Sequence, residues 1–366
     1  MTLKSNLLGR PAVCGACVLS IALMLSPQVS RAEGGAAAAG LDSSSSPLPP
    51  DYLGRGYGAP VREAITVPLQ PLAQNGKVQL WHVQGRVYVL VGAGNNITVQ
   101  VGDDAVVLVN AGSAAETSDV MAAVQRLSSK RIAFIIDTSA DADDVGGSGQ
   151  LAKLGFEDTG QPGEPPGAAV VAQLGTLTRL TSAAVTGAAF PTDGFDASWS
   201  FFNNEPVILR HAPAAHTDGD SYVFFRRSDV ISTGDLFDAE RYPVIDAAKG
   251  GSIDGIIDGL NDIIDLMVPE QNEEGGTYVV PSRGAICDRN GVVNYRDALT
   301  IIRGRIAYYV SKGMTLEQVL AAKPTLDYDG VYGADSGPWT TRMFIEAVYR
   351  DVRAASASRR DFYAHD

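Results

Sequence analysis

The chain has 366 residues, 45% of them hydrophobic and 19% charged, with 39 glycines, which is enough apolar material for a large core and excludes a disordered polymer. Its formal charge of −13 excludes non-specific nucleic-acid binding and docking on anionic lipid, since both draw their affinity from basic side chains. The four histidines, His82, His211, His216 and His365, exclude a site that needs five.

The first 32 residues read as a secretory signal peptide. Lys4 and Arg10 precede an uncharged apolar stretch from Ala12 to Leu25, and Ser30-Arg31-Ala32 places small residues where a signal peptidase cuts. An uncleaved anchor helix is the alternative, because the apolar run is long for a signal and short for a full span. Cleavage removes three basic residues and no acidic one, taking the charge from −13 to −16. It also removes Cys14 and Cys17, so Cys287 stands alone and neither an intrachain disulfide nor a C-x-x-C motif is possible. Residues 33–74, rich in Gly, Ala, Ser and Pro, read as a flexible linker and N-terminal extension. The expected product is secreted or periplasmic, with no membrane span after cleavage.

From Val78 the pattern is that of strands: VQLWHV, RVYVLVG, NITVQVG and DAVVLVN are short β-branched runs punctuated by Gly, Asn and Asp. Ser113 to Ser129 follows with helical spacing at Val120, Ala123, Val124 and Leu127. RIAFIID (131–137) reads as a buried strand that runs into the polar loop Thr138–Gly149, and a less regular Gly/Pro-rich stretch occupies 155–168. A second β-rich block covers 206–212, 221–227 and 229–235. Beyond it the spacing predicts a helix over Ile253–Met267, a buried strand over 277–281, and helices over Val292–Val310, Leu316–Ala322 and Thr341–Ala355. Each half runs from antiparallel strands to a helix and then to a strand ending in a polar loop. That order predicts an α/β (α+β) chain with two sheets packed face to face and helices outside, the functional groups gathering in the strand-end loops.

Those loops are Thr138–Gly147 (TSADADDVGG), Ala215–Asp220 (AHTDGD), Ser232–Asp235 (STGD) and Pro281–Gly284 (PSRG). With NNITVQVGDDAVVLVNAGS, TGDLF and RYPVIDAAKGGSI in order between them, the chain resembles metallo-β-lactamase-fold hydrolases of the exported bacterial type. The resemblance covers about residues 75–310. It implies a four-layer αββα sandwich domain, with 311–366 as a C-terminal helical extension packed on it and a two-zinc site at one sheet edge.

In that family the first loop reads His-x-His-x-Asp-His and is followed by a His, a bridging Asp and a last His. Laid onto this chain, the pattern puts Ser139, Asp141 and Asp144 at the three histidines of the first loop. Asp143 is kept as the acid that holds the second metal and orients its water, His216 and the bridging Asp235 are kept, and Arg283 stands in place of the last histidine. Zinc takes imidazole nitrogen and thiolate at about 2.0–2.3 Å, a role a serine fills badly. A guanidinium stays protonated and has no lone pair to give. Arg283 is therefore expected to replace a metal electrostatically, forking onto Asp143, Asp144 or Asp235.

Asp141, His216 and Asp235 retain the makings of a degenerate site for one divalent ion (Zn, Mn, Fe or Ca). The alternative is that Asp141 and Asp144 are solvated loop acids with no ion. Ser139 with His216 lacks a nucleophile elbow and is a poor serine triad. His211 is expected to be structural, His82 a strand residue, and Asp218 and Asp220 turn-forming. The expected function is that of an exported pseudoenzyme or altered-chemistry relative, binding a small molecule or protein partner in the cleft where the metals would lie. The alternative is a hydrolase of an ester, lactone, thioester or β-lactam using one non-zinc ion, with Asp141, His216 and Asp235 holding the metal and Asp143 as the catalytic residue that orients the attacking water.

Overall fold

The computed structural model describes residues 73–154, 167–182, 185–269, 271–272 and 275–363. The signal peptide, nearly all of the expected linker, most of the Gly/Pro-rich stretch and His365 lie outside the described residues. Thirteen strands are described: β1 (Ala73–Asn75), β2 (Val78–Gln84), β3 (Val87–Val91), β4 (Ile97–Val101), β5 (Val106–Val109), β6 (Ile132–Asp137), β7 (Ala169–Gln173), β8 (Asp193–Phe195), β9 (Ser198–Phe202), β10 (Pro206–His211), β11 (Ser221–Phe225), β12 (Val230–Ser232) and β13 (Tyr278–Val280).

They form two sheets. The first is ordered β1 through β8 in sequence, antiparallel up to β5 and parallel from there on; the second is ordered β13-β12-β11-β10-β9, with β12 and β13 parallel. Period-two alternation builds the layers. In β5, Val107 and Val109 face the second sheet, while Val106 and Leu108 pack under the helix Thr117–Leu127 through Val120, Ala123 and Val124. In β11, Val223 and Phe225 face the first sheet, while Tyr222 and Phe224 pack under the helices Ile253–Leu266 and Arg289–Ser311. The result is a four-layer αββα sandwich.

Several predicted helices begin at side-chain caps. The Ser252 hydroxyl accepts from the Gly255 amide, the Asp288 carboxylate from Gly291, and Thr315 with Gln318 forms a capping box. The last described helix runs Thr341–Tyr363, eight residues longer than its predicted end, and Phe344, Ile345 and Val348 join the same core as Ile256 and Leu299. The helix Leu174–Ser182 and the strand β9 went unread in the sequence: both are short, and β9 alternates exposed and half-buried positions without a fully buried face. Among the described residues no helix is long and apolar enough to cross a membrane.

Candidate functional site

The strand-end loops meet in one cleft of about 260 Å³ at the edge of the sandwich, lined among others by Asn95, Asp141, Asp143, His216, Asp235 and Arg283. The first loop can pass close beneath the strands because Gly146 and Gly147 have no side chain. A Cβ on Gly146 would sit 2.7 Å from the Ala142 carbonyl oxygen and 2.8 Å from the Ala114 amide, and one on Gly147 would strike the Ala111 carbonyl. The Gly147 amide donates to Gly112 instead, at 2.9 Å.

The structure brings Asp141, His216 and Asp235 together, with one potential ligand atom from each lying within 4.8 Å of the others. His216 is almost fully buried. Its Nδ1 donates to the Val244 carbonyl at 2.9 Å, which aims Nε2 at Asp141 Oδ2, 3.2 Å away. Burial by itself would depress the imidazole. The Asp141 hydrogen bond and the charges of Asp235 and Asp220 outweigh it and raise the pKa to about 10. The same hydrogen bond holds the Asp141 carboxyl below its usual range, helped by Lys249, whose Nζ lies 3.9 Å from Oδ1. The two side chains thus form an ion pair.

Asp144 corrects one expectation. It is no solvated loop acid: it is 0% exposed, and three side chains donate to its carboxyl. Asn95 Nδ2 and Asn110 Nδ2 each reach Oδ1 at 2.8 Å, and Ser139 Oγ reaches Oδ2 at 2.6 Å. Burial, followed by the charge of neighbouring Asp235, pushes this carboxyl well above its ordinary range. Ser139 therefore acts as a brace for Asp144.

Arg283 pairs with Asp143, the first of its three expected partners. Asn96 locks the loop that carries it, donating through Nδ2 to the carbonyls of Pro281 at 3.0 Å and Gly284 at 2.9 Å. Asn95, Asn96 and Asn110 are the site-building residues that sequence reasoning missed. Asn110 adopts the left-handed conformation (φ 64°) that asparagine tolerates, and its Oδ1 accepts from the amide and hydroxyl of Thr138. The NN that precedes β4 and the N that ends VVLVN were the available signals.

The other candidates have structural partners. His211 Nε2 donates to the Asp218 carbonyl at 2.8 Å, and Asp218 pairs with Arg179. Asp220 accepts from the amide and hydroxyl of Thr217, and its burial raises its carboxyl to about 7. His82 lies in β2 and donates to the Gly85 carbonyl.

This donor set does not fit a zinc pair. At the second position Asp144 already accepts from three donors and Arg283 offers no lone pair. Asp141, His216 and Asp235 make a set of one imidazole and two carboxylates, which suits a single oxygen-tolerant divalent ion. Two buried acceptors beside them, Asn95 Oδ1 and Asp235 Oδ2, carry no hydrogen bond.

No protein-family profile and no curated protein sequence matches the chain. Among solved structures, the stereoselective inverting sec-alkylsulfatase Pisa1 from Pseudomonas sp. matches with a TM-score of 0.55 and 14% identity, and a double mutant of that sulfatase with 0.53 and 13%. Both matches cover 75% of this chain and 50% of the sulfatase, so the chain spans half the length of those proteins. The DIM-1 metallo-β-lactamase matches over 62% of this chain and 98% of its own, at a TM-score of 0.48 and 12% identity. At such identities the likeness is one of fold. This is a mixed α/β protein with the metallo-β-lactamase sandwich.

Proposed function

We propose that this is a hydrolase-fold protein in which a network of ion pairs and hydrogen bonds stands where the resemblance to metallo-β-lactamase-fold hydrolases implies a two-zinc site, leaving a small polar cleft that binds a ligand without hydrolysing it. One observation carries this reading: the Arg283 guanidinium, at the position of the last metal-binding histidine, is paired with Asp143. A fixed positive charge there answers the acidic loop permanently, and it repels a dication. The buried network around Asp144 supports the same conclusion, because each of its donors would have to be released before a metal could use that carboxylate. The N-terminal segment, with Lys4, Arg10 and its small-residue cleavage site, supports export.

Metal analysis and turnover assays on one purified preparation test the reading. The expected result is substoichiometric metal, no turnover of nitrocefin, generic esters or a secondary alkyl sulfate, and a melting temperature unmoved by chelator. Arg283→Ala should lower stability by about 1 kcal/mol or less, since Arg283 and Asp143 are 28% and 51% exposed and solvent screens the pair. Stoichiometric metal with chelator-sensitive turnover would overturn the proposal.

The clustering of Asp141, His216 and Asp235 favours a second reading, a hydrolase using one non-zinc ion. The same measurement separates the two.

A further inference from the structure

Two chemically different sets of groups line the cleft. Arg241 and Arg283 form one set, both about a quarter exposed. Arg241 commits its Nε to Asp238 Oδ2 at 2.7 Å, leaving both of its terminal nitrogens uncommitted. Arg283 commits one terminal nitrogen to Asp143, and its Nε is buried with no acceptor. Ser282 lines the same cavity. The other set is two unpaired acceptors, Asn95 Oδ1 and Asp235 Oδ2, on residues that also line it. The Asn95 amide cannot simply turn over, because its Nδ2 donates to both Asp144 and Asp235.

A buried donor or acceptor left unpaired costs about 1–3 kcal/mol, so the open donor on Arg283 and the two open acceptors on Asn95 and Asp235 define what the cleft lacks. The missing piece is a molecule with an oxyanion for the guanidinium forks and a hydrogen-bond donor for Asp235 and Asn95. Planar guanidinium groups match a carboxylate bidentately. Asp143, Asp235 and Asp238 on the walls disfavour a dianion. The volume of about 260 Å³ falls just below the roughly 300–1,000 Å³ of drug-sized sites. We infer that the cleft binds a small monocarboxylate that also carries a hydroxyl or ammonium group, with Arg241 and Arg283 holding its carboxylate and Asp235 and Asn95 accepting from its donor. This assignment rests on the reading that no metal pair occupies the cleft, since metals there would take up its carboxylates.

Calorimetric titration of the mature protein with L-lactate, glycine, acetate and methyl sulfate, with metal content measured on the same sample, tests it. Lactate or glycine should bind saturably and at least about tenfold more tightly than acetate, which lacks the donor, or methyl sulfate, which lacks both donor and carboxylate. Arg241→Met should weaken that binding about tenfold or more. Arg283→Lys keeps the charge and the loop but loses the fork, and should weaken it as well. Arg241→Lys serves in the same way if the methionine variant unfolds. Metal-free, folded protein that binds neither compound, or binds them undiminished in the folded arginine variants, overturns the proposed clamp and leaves the metal-free reading standing. Stoichiometric metal whose removal abolishes binding overturns both.

Discussion

An imidazole and a guanidinium at position 283 would do opposite things to the loop Thr138–Gly147: one would share a metal with it, the other neutralises it directly. The same logic extends to His216. With its pKa raised to about 10, this side chain is an imidazolium at neutral pH, paired with an Asp141 carboxyl that is held low. A folded pKa above the unfolded value of about 6.5 stabilises the fold fully below pH 6.5, and that stabilisation is lost as pH rises through 10. The depressed Asp141 contributes above its ordinary pKa and loses its contribution in acid. The pair is therefore strongest between about pH 4 and 6.5. Asp141 is 41% exposed, and solvent screens part of the interaction. His216→Gln should cost about 1–2 kcal/mol at pH 6, with the deficit shrinking toward pH 10, as read by urea denaturation across that range. A deficit independent of pH would mean that the imidazole contributes shape alone.

At the scale of elements, the cleft depends on helices distant from it in sequence. Tyr242 follows Arg241 directly. Its ring stacks on Phe344 of the last helix, with centroids 4.5 Å apart and planes 3° from parallel, and its hydroxyl donates to Asp329 Oδ1 at 3.0 Å. The cleft's second arginine is thus positioned from the C-terminal helices. Phe344 is 0% exposed, so Phe344→Ala opens a cavity that the rigid layer cannot fill. The expected cost is about 3–5 kcal/mol in equilibrium denaturation. A cost below 1 kcal/mol would show that these helices do not belong to the cooperative unit.

For the molecule as a whole, buried carboxyl groups set the response to pH. Asp137 ends β6, is 0% exposed, and neither of its oxygens has a hydrogen-bond partner. Burial pushes its pKa well above the ordinary carboxylate range, as it does for Asp144 and, to about 7, for Asp220. Each raised pKa contributes stability that is complete below the unfolded value near 4 and lost as pH rises through the folded one. The protein should be more stable in mild acid than at pH 8. Asp137→Asn cannot ionise, so the variant should gain on the parent protein as pH rises, with the difference smallest near pH 4. Thermal melts of the two proteins from pH 4 to 9 would show it, and parallel curves would place Asp137 in contact with water or a partner group.

Local physics was enough to make much of this protein legible in its residues. Short β-branched runs such as Val106 to Val109 mark strands, and the spacing of Val120, Ala123, Val124 and Leu127 marks a helix, because those preferences act over two to four residues. That Ser139 and Arg283 make poor metal ligands is likewise plain in the sequence, since coordination chemistry belongs to residue type. The tertiary structure decided which acid Arg283 meets, 140 residues away. It also decided that Asp144 is buried among Asn95, Asn110 and Ser139, and that Arg241 lines the same cavity as Arg283. Such contacts leave no periodic trace along the chain. They exist because two sheets and their helices bring loops from distant positions to one edge, where burial decides which charges are neutralised and which hydrogen bonds are left open.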